Sequence, residues 1–215
     1  PRTAPHLKQI APVYRALREA GMHPLLLVSQ PSIEDAVQAL GLEAVHAWTE
    51  LWPKLLQARR RGASAARSFE RTPLVGSPDL WAEALHREIA LQLPLIYELT
   101  AIVRNIQLRA QPAAFVVGND LTPEGRTTCL ALAGRTPVAC LMHGIGSGNP
   151  LLGHHLADRI LVYGEIDREH LLALGIGAER VRVIGAPYLD DLQPQSGTID
   201  PALSLQENAQ ALFAR

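Results

Sequence analysis

His143 follows the apolar run Val138–Met142 and opens a glycine-rich loop, Gly144-Ile145-Gly146-Ser147-Gly148-Asn149-Pro150. An imidazole titrates near neutrality, so it can take a proton from a hydroxyl at working pH. At the end of a buried strand the ring is partly desolvated, which favours its neutral, basic form. The same residue also reads as a histidine hydrogen-bonded to a neighbouring backbone group, and the sequence leaves both readings open. The loop brings backbone close to a ligand at Gly144, Gly146, Ser147 and Asn149, or else simply turns the chain. It is not the dinucleotide fingerprint. That motif needs a helix to begin at the loop and hold a pyrophosphate at its N-terminus, and Asn149-Pro150 interrupts any such helix.

Gly118-Asn119-Asp120 closes the preceding apolar run, so Asn119 and Asp120 belong on the same sheet edge as His143. Either could bind a hydroxylated acceptor or orient the imidazole. Glu124 falls in the first turn of the next helix, where a carboxylate stabilises the helix dipole. His154 and His155 suggest a metal, but adjacent histidines rarely point at one ion. No cysteine or carboxylate cluster at ligand spacing supports them, so loop packing or polar contacts are expected and no metal is assigned. The chain carries neither a G-x-S-x-G elbow nor a Walker lysine loop, which leaves serine hydrolysis and P-loop phosphotransfer without a motif.

These residues need a scaffold that ends several strands at one edge. Apolar runs at Pro24–Ser29, Leu42–Ala47, Ala113–Val117, Val138–Met142, Arg159–Tyr163 and Val181–Ile184 read as strands. Helical patterns lie between them: Leu7 to Gly21, Ser32 to Gly41 with Ser32 as N-cap, Trp48 to Phe69, Asp79 to Arg109 with a kink at Pro94, Thr122 to Gly134 and Glu165 to Gly175. For the fifth, Thr122 is the N-cap and Pro123 the first helical residue. Alternation of strand and helix predicts an α/β fold, a Rossmann-like parallel sheet with helices on both faces. In such sheets ligands bind beyond the carboxyl ends of the strands.

Residues 1–191 are expected to form this domain, 192–201 a linker rich in Gln, Pro, Ser and Gly, and 202–215 the start of a second domain or a return helix. A helix at the beginning with no strand before it suggests a piece of a larger enzyme whose first strand is missing. A formal charge of −1 lacks the basic excess of a nucleic-acid binder. Cys129 and Cys140 sit in apolar runs and read as buried free thiols in a reducing compartment. No run approaches the roughly 20 apolar residues of a membrane span, and no signal peptide opens the chain, so a cytoplasmic protein is expected. Trp48 to Arg61 combines an apolar face with arginines; it packs on the sheet with a solvated basic end, or it lies peripherally on an anionic inner-membrane surface.

His143-Gly144, Ala157-Asp158-Arg159-Ile160, Tyr163-Gly164, Leu174-Gly175 and Val183-Ile184-Gly185-Ala186-Pro187 with Asp190 occur in an order that resembles the amino-terminal half of GT-B sugar-nucleotide enzymes. The opening His6-Leu7-x-x-Ile10-x-Pro12 pattern is similar to the first helix of that fold. The nearest types are surface-polysaccharide glycosyltransferases and UDP-N-acetylglucosamine 2-epimerases. The resemblance implies two Rossmann-like domains. The carboxyl-terminal one holds a nucleotide-sugar donor, and this amino-terminal one holds a sugar or glycolipid acceptor with His143 as general base. No cofactor is implied beyond the donor, which is a substrate. The loop after His143 lacks the acidic residue and arginine of the epimerase pattern, which favours the transferase. A noncatalytic Rossmann-like binding module is the reading from another class.

Overall fold

The computed structural model describes residues 4–28, 33–46, 52–71, 80–142 and 150–187. His143, Gly144, Gly146, Ser147 and Asn149 lie outside the described residues, as do Ser32, Tyr188, Asp190 and the expected linker and second domain.

The six expected strands are present, each shorter than its apolar run: β1 (Leu26–Val28), β2 (Ala44–His46), β3 (Phe115–Val117), β4 (Val138–Leu141), β5 (Arg159–Val162) and β6 (Val181–Val183). All pairings are parallel, β1 with β2 and then β3-β4-β5-β6 in order. The α/β class therefore stands. Among the described residues, however, the strands form two ladders rather than one, because β1 and β3 are not hydrogen-bonded to each other.

Among the described residues the α-helices are α1 (Ala4–Glu19), α2 (Glu34–Ala39), α3 (Trp52–Glu70), α4 (Leu80–Ala110), α5 (Pro123–Leu132) and α6 (Glu165–Ala173). Gly21 (φ +75°) and Gly41 (φ +64°) take left-handed conformations where α1 and α2 end, which a side chain would disfavour. Helix α2 has Ile33 at its N-cap with no side-chain cap. Helix α5 starts as its sequence dictates. The Thr122 hydroxyl accepts from Gly125 N at 3.2 Å, and Pro123 holds the first helical position. Thr122→Ala should therefore cost about 1 kcal/mol in chemical denaturation.

Helix α4 runs unbroken through Pro94. Its segment Glu83–Ala110 is long and apolar enough, by length and composition, to cross a membrane, which corrects the expectation that no run approaches that length. The polar residues inside it are spread so that no continuous apolar stretch is visible, yet the mean stays high. In this fold the helix packs on α3 and α5. Gly62 of α3 sits where a Cβ would lie 2.6 Å from Pro94 Cα, so the absence of a side chain lets the two helices approach. Phe69 stacks on His86 at 4.2 Å further along the same pair.

The helices divide by face. Leu26 and Val28 of β1 pack with Leu7, Ala11 and Tyr14 of α1 and Val37 of α2. Leu27, which points the other way, packs with Leu55 of α3 and Ile102 of α4. Phe115 and Val117 of β3 join Val138 and Cys140 of β4 under Val103 of α4 and Leu132 of α5. Ile160, Val162 and Val181 lie under Leu171 of α6. The two-stranded ladder thus has helices on both faces. On the four-stranded ladder α4, α5 and α6 share one face, and among the described residues no helix covers the other.

Candidate functional site

The loop after β3 folds back beneath the sheet instead of standing open at its edge. The Asn119 side-chain oxygen accepts from Leu121 N at 2.8 Å, and the Asn119 carbonyl accepts from the Thr122 hydroxyl at 3.2 Å. Gly125, one turn into α5, lies against this loop: a Cβ there would be 1.9 Å from Asn119 O and 2.6 Å from Asp120 Cα. Asp120 is driven inward by this turn and is completely buried.

Its carboxylate is fully engaged. One oxygen, Oδ2, accepts from Leu156 N at 2.7 Å and from Ala157 N at 2.8 Å, on the segment that enters β5. The other, Oδ1, is paired with Nδ1 of His155, whose side chain is only 3% exposed. Nδ1 is the donor in this pair, since the carboxylate oxygen can only accept. His155 Nε2 finds no partner among the described residues. Burial pushes the Asp120 pKa up, but the His155 hydrogen bond and those from Ala157 and Leu156 outweigh it, so the group ends below the ordinary aspartate value. Arg180 supports the same segment from outside, donating to the carbonyls of His155 and Ala157, each at 2.8 Å. Arg126 donates to the His154 carbonyl at 3.3 Å.

Cys140, in the middle of β4, completes a buried cluster in which Asp120, Cys140 and His155 offer ligand atoms all within 4.8 Å of one another. These three are the residue types of a metal centre. Asp120 already accepts three hydrogen bonds. Burial, and then the neighbouring Asp120 charge, push the Cys140 thiol well above its ordinary value. Cys129 is likewise raised, to about 12, by burial and by Asp120 and Asp158. Both cysteines are free and buried, as their apolar runs predict.

No family model matches the chain, and no curated protein or solved structure is significantly similar to it.

The two adjacent histidines diverge, His154 to solvent and His155 to the interior, so they do not converge on one ion. Of the residues expected to hold substrate, Asn119 stays half-buried at the end of β3 and Asp120 is sealed on the helix-covered face with its carboxylate closed to ligand. Asp120 does orient an imidazole, but that of His155. Nothing in the sequence marks this pairing: the partners are 35 residues apart and meet because the segment entering β5 lies against the loop after β3. Asp158, part of the Ala157–Ile160 motif, accepts from Val138 N at 2.8 Å and so ties the beginning of β4 to that of β5.

The carboxyl ends of β3, β4, β5 and β6 face one rim, as parallel pairing requires. Gly118 and Asn119 follow β3, Met142 follows β4, Tyr163 and Gly164 follow β5, and Ile184 and Gly185 follow β6. Met142 N donates to Leu161 O at 3.0 Å and Ile184 N to Val162 O at 2.9 Å, which carries the ladder up to that rim. The arrangement can present several loop backbones and the Asn119 carboxamide side to a polar ligand, over a floor fixed by Asp120 and His155.

Proposed function

We propose that this chain is the acceptor-side, Rossmann-like half of a GT-B glycosyltransferase that uses a nucleotide-sugar donor in cell-surface polysaccharide or glycolipid synthesis. One observation carries the reading. Helices cover both faces of β1, α1 and α2 on the side of Leu26 and Val28 and α3 and α4 on the side of Leu27, whereas α4 and α5 cover the Phe115 and Val117 face of β3. A doubly wound sheet has its switch point at such a place, and ligands bind in the crevice beyond it. Asn119 follows β3 at that crevice, and His143 follows β4, the next strand in order.

In this reading His143 takes the proton of the acceptor hydroxyl. The hydroxyl oxygen then bonds to the anomeric carbon while the bond from that carbon to the nucleoside diphosphate breaks, and the diphosphate leaves with the electron pair. The Gly144–Asn149 loop and Asn119 position the acceptor. A second domain supplies the donor, and helix N-termini and side chains there stabilise the leaving diphosphate.

His143→Ala in the full-length enzyme should lower turnover by about 10²-fold or more with an unchanged unfolding curve. Turnover that stays at the wild-type level removes His143 from the mechanism. Product analysis separates transfer from epimerisation, and a protein that neither transfers nor hydrolyses a nucleotide sugar would be a binding module.

A further inference from the structure

Helix α4 is far longer than the strand it feeds. It enters β3 at the strand's amino end through the short connection 111–114. Its Val103 packs over β3 and β4. Ile89 stands 14 residues earlier, about 21 Å up the helix axis. Strand β3 has three residues and spans about 10 Å. The N-terminal half of α4 therefore runs past the carboxyl rim of β3.

Between α4 and α5 lies a groove of about 520 Å³, a size typical of small-molecule sites. Ile89 and Ile96 line it on α4, Pro123 and Leu130 on α5, and Leu121 of the loop after β3 lines its rim end. Leu130 is 66% exposed and Ile89 39%, so the groove leaves large aliphatic surface in water. Polar groups on the α4 wall are satisfied within the helix. The Thr100 hydroxyl donates to Ile96 O at 2.7 Å, and Gln92 Nε2 donates to Glu88 Oε1 at 2.9 Å. The arginines are not. Arg104 of α4 and Arg126 of α5 line the same groove, one from each wall. Arg126 gives one hydrogen bond, to the His154 carbonyl at 3.3 Å, out of five N–H donors. Arg104 has no acidic partner among the described residues. Against these two cations the lining sets the single carboxylate of Glu88. Aliphatic walls with a cationic balance suit an anionic amphiphile, since hydrocarbon covers the apolar surface and a phosphate engages guanidinium groups.

We infer that the α4–α5 groove binds a lipid phosphate, with one hydrocarbon chain against Ile89, Ile96, Leu121 and Leu130 and the phosphate on Arg104 and Arg126. Its position joins it to the rim. Leu121 N donates to the Asn119 side chain at 2.8 Å, so the groove opens two residues from the group that positions the acceptor. In the transferase the ligand is the lipid phosphate of a glycolipid acceptor. That role rests on the proposed function, whereas the binding does not.

The test is calorimetric titration of the full-length protein with octyl, decyl and dodecyl phosphate, each below its micelle concentration. Affinity should rise about 10-fold or more for every two methylenes added. Ile89→Gln combined with Leu130→Gln should weaken dodecyl phosphate about 10-fold or more, while Leu108→Gln, at an equally exposed leucine of α4 outside the groove, should change nothing. Arg104→Gln combined with Arg126→Gln should abolish the preference for dodecyl phosphate over dodecanol. If a variant unfolds, a photoreactive alkyl phosphate should label α4 and α5 in the wild-type protein, and labelling elsewhere overturns the inference. So does an affinity independent of chain length or matched by inorganic phosphate. Self-association that Leu130→Gln dissolves also overturns it, since a second copy would then fill the groove. Turnover separates the two readings. Chain-dependent binding without sugar transfer upholds the groove and removes the transferase; transfer to a lipid-linked acceptor with KM unchanged by Ile89→Gln and Leu130→Gln removes the groove and keeps the transferase.

Discussion

Asp120→Ala should destabilise the protein by about 3–5 kcal/mol, because it leaves several buried donors without a partner at about 1–3 kcal/mol each. The substitution strands three donors at once: Leu156 N, Ala157 N and His155 Nδ1. His155 Nδ1 and Ala157 N lie on buried residues and cannot turn to water. Asp120→Asn should cost less, since a carboxamide oxygen still accepts from the two backbone groups. Guanidinium unfolding of the three proteins at neutral pH measures the series; an Ala variant within 1 kcal/mol of wild type would show that the pair holds nothing together.

The same residue sets an acid limit. Its folded pKa lies below the ordinary value, so the folded state binds that proton less readily than the unfolded state does. The stabilisation is complete above the unfolded pKa of about 3.9 and is lost as pH falls through the lower folded value. Wild type should therefore lose stability steeply below about pH 4, and Asp120→Asn should show a shallower slope over that window. Parallel slopes would mean that other carboxylates govern acid unfolding.

Gly125→Ala should be nearly as damaging, about 3 kcal/mol or more, although a single methyl is added. An added Cβ meets backbone at 1.9 Å and 2.6 Å, on Asn119 and Asp120, and backbone cannot swing aside as a side-chain tip can. Relief requires moving the loop that carries Asp120, and hence loosening the grip on His155 and the β5 entry. Because both substitutions act through one loop, their effects should not add: the double variant Gly125→Ala with Asp120→Ala should fall well short of the sum. Full additivity in denaturation would separate the glycine from the carboxylate.

The alternation of apolar runs with amphipathic segments dictated six parallel strands and six helices, and cap chemistry at Thr122 and Pro123 placed the start of α5 closely. Those features are local, set by residues within a turn of one another. Helix ends were read less sharply: Ser32 was expected to cap α2, whose N-cap is Ile33. Local pattern also misjudged α4, because counting uninterrupted apolar residues misses a long helix whose few polar residues are spread along it.

The polar centre was another matter. Asp120 and the two histidines stood out as chemistry-bearing residues. Which one would be sealed inside, and against what, depended on a partner 35 residues further along the chain. Spacing along the chain carries no information about such an encounter, since loop closure brings distant residues together only once the strands between them are ordered. Which described segments became strands, and that they run parallel, followed from composition and periodicity. The burial of Asp120, its pairing with His155 and the division of the described strands into two ladders were decided by tertiary packing, because only the assembled layers determine which polar groups lose water and which strands pair.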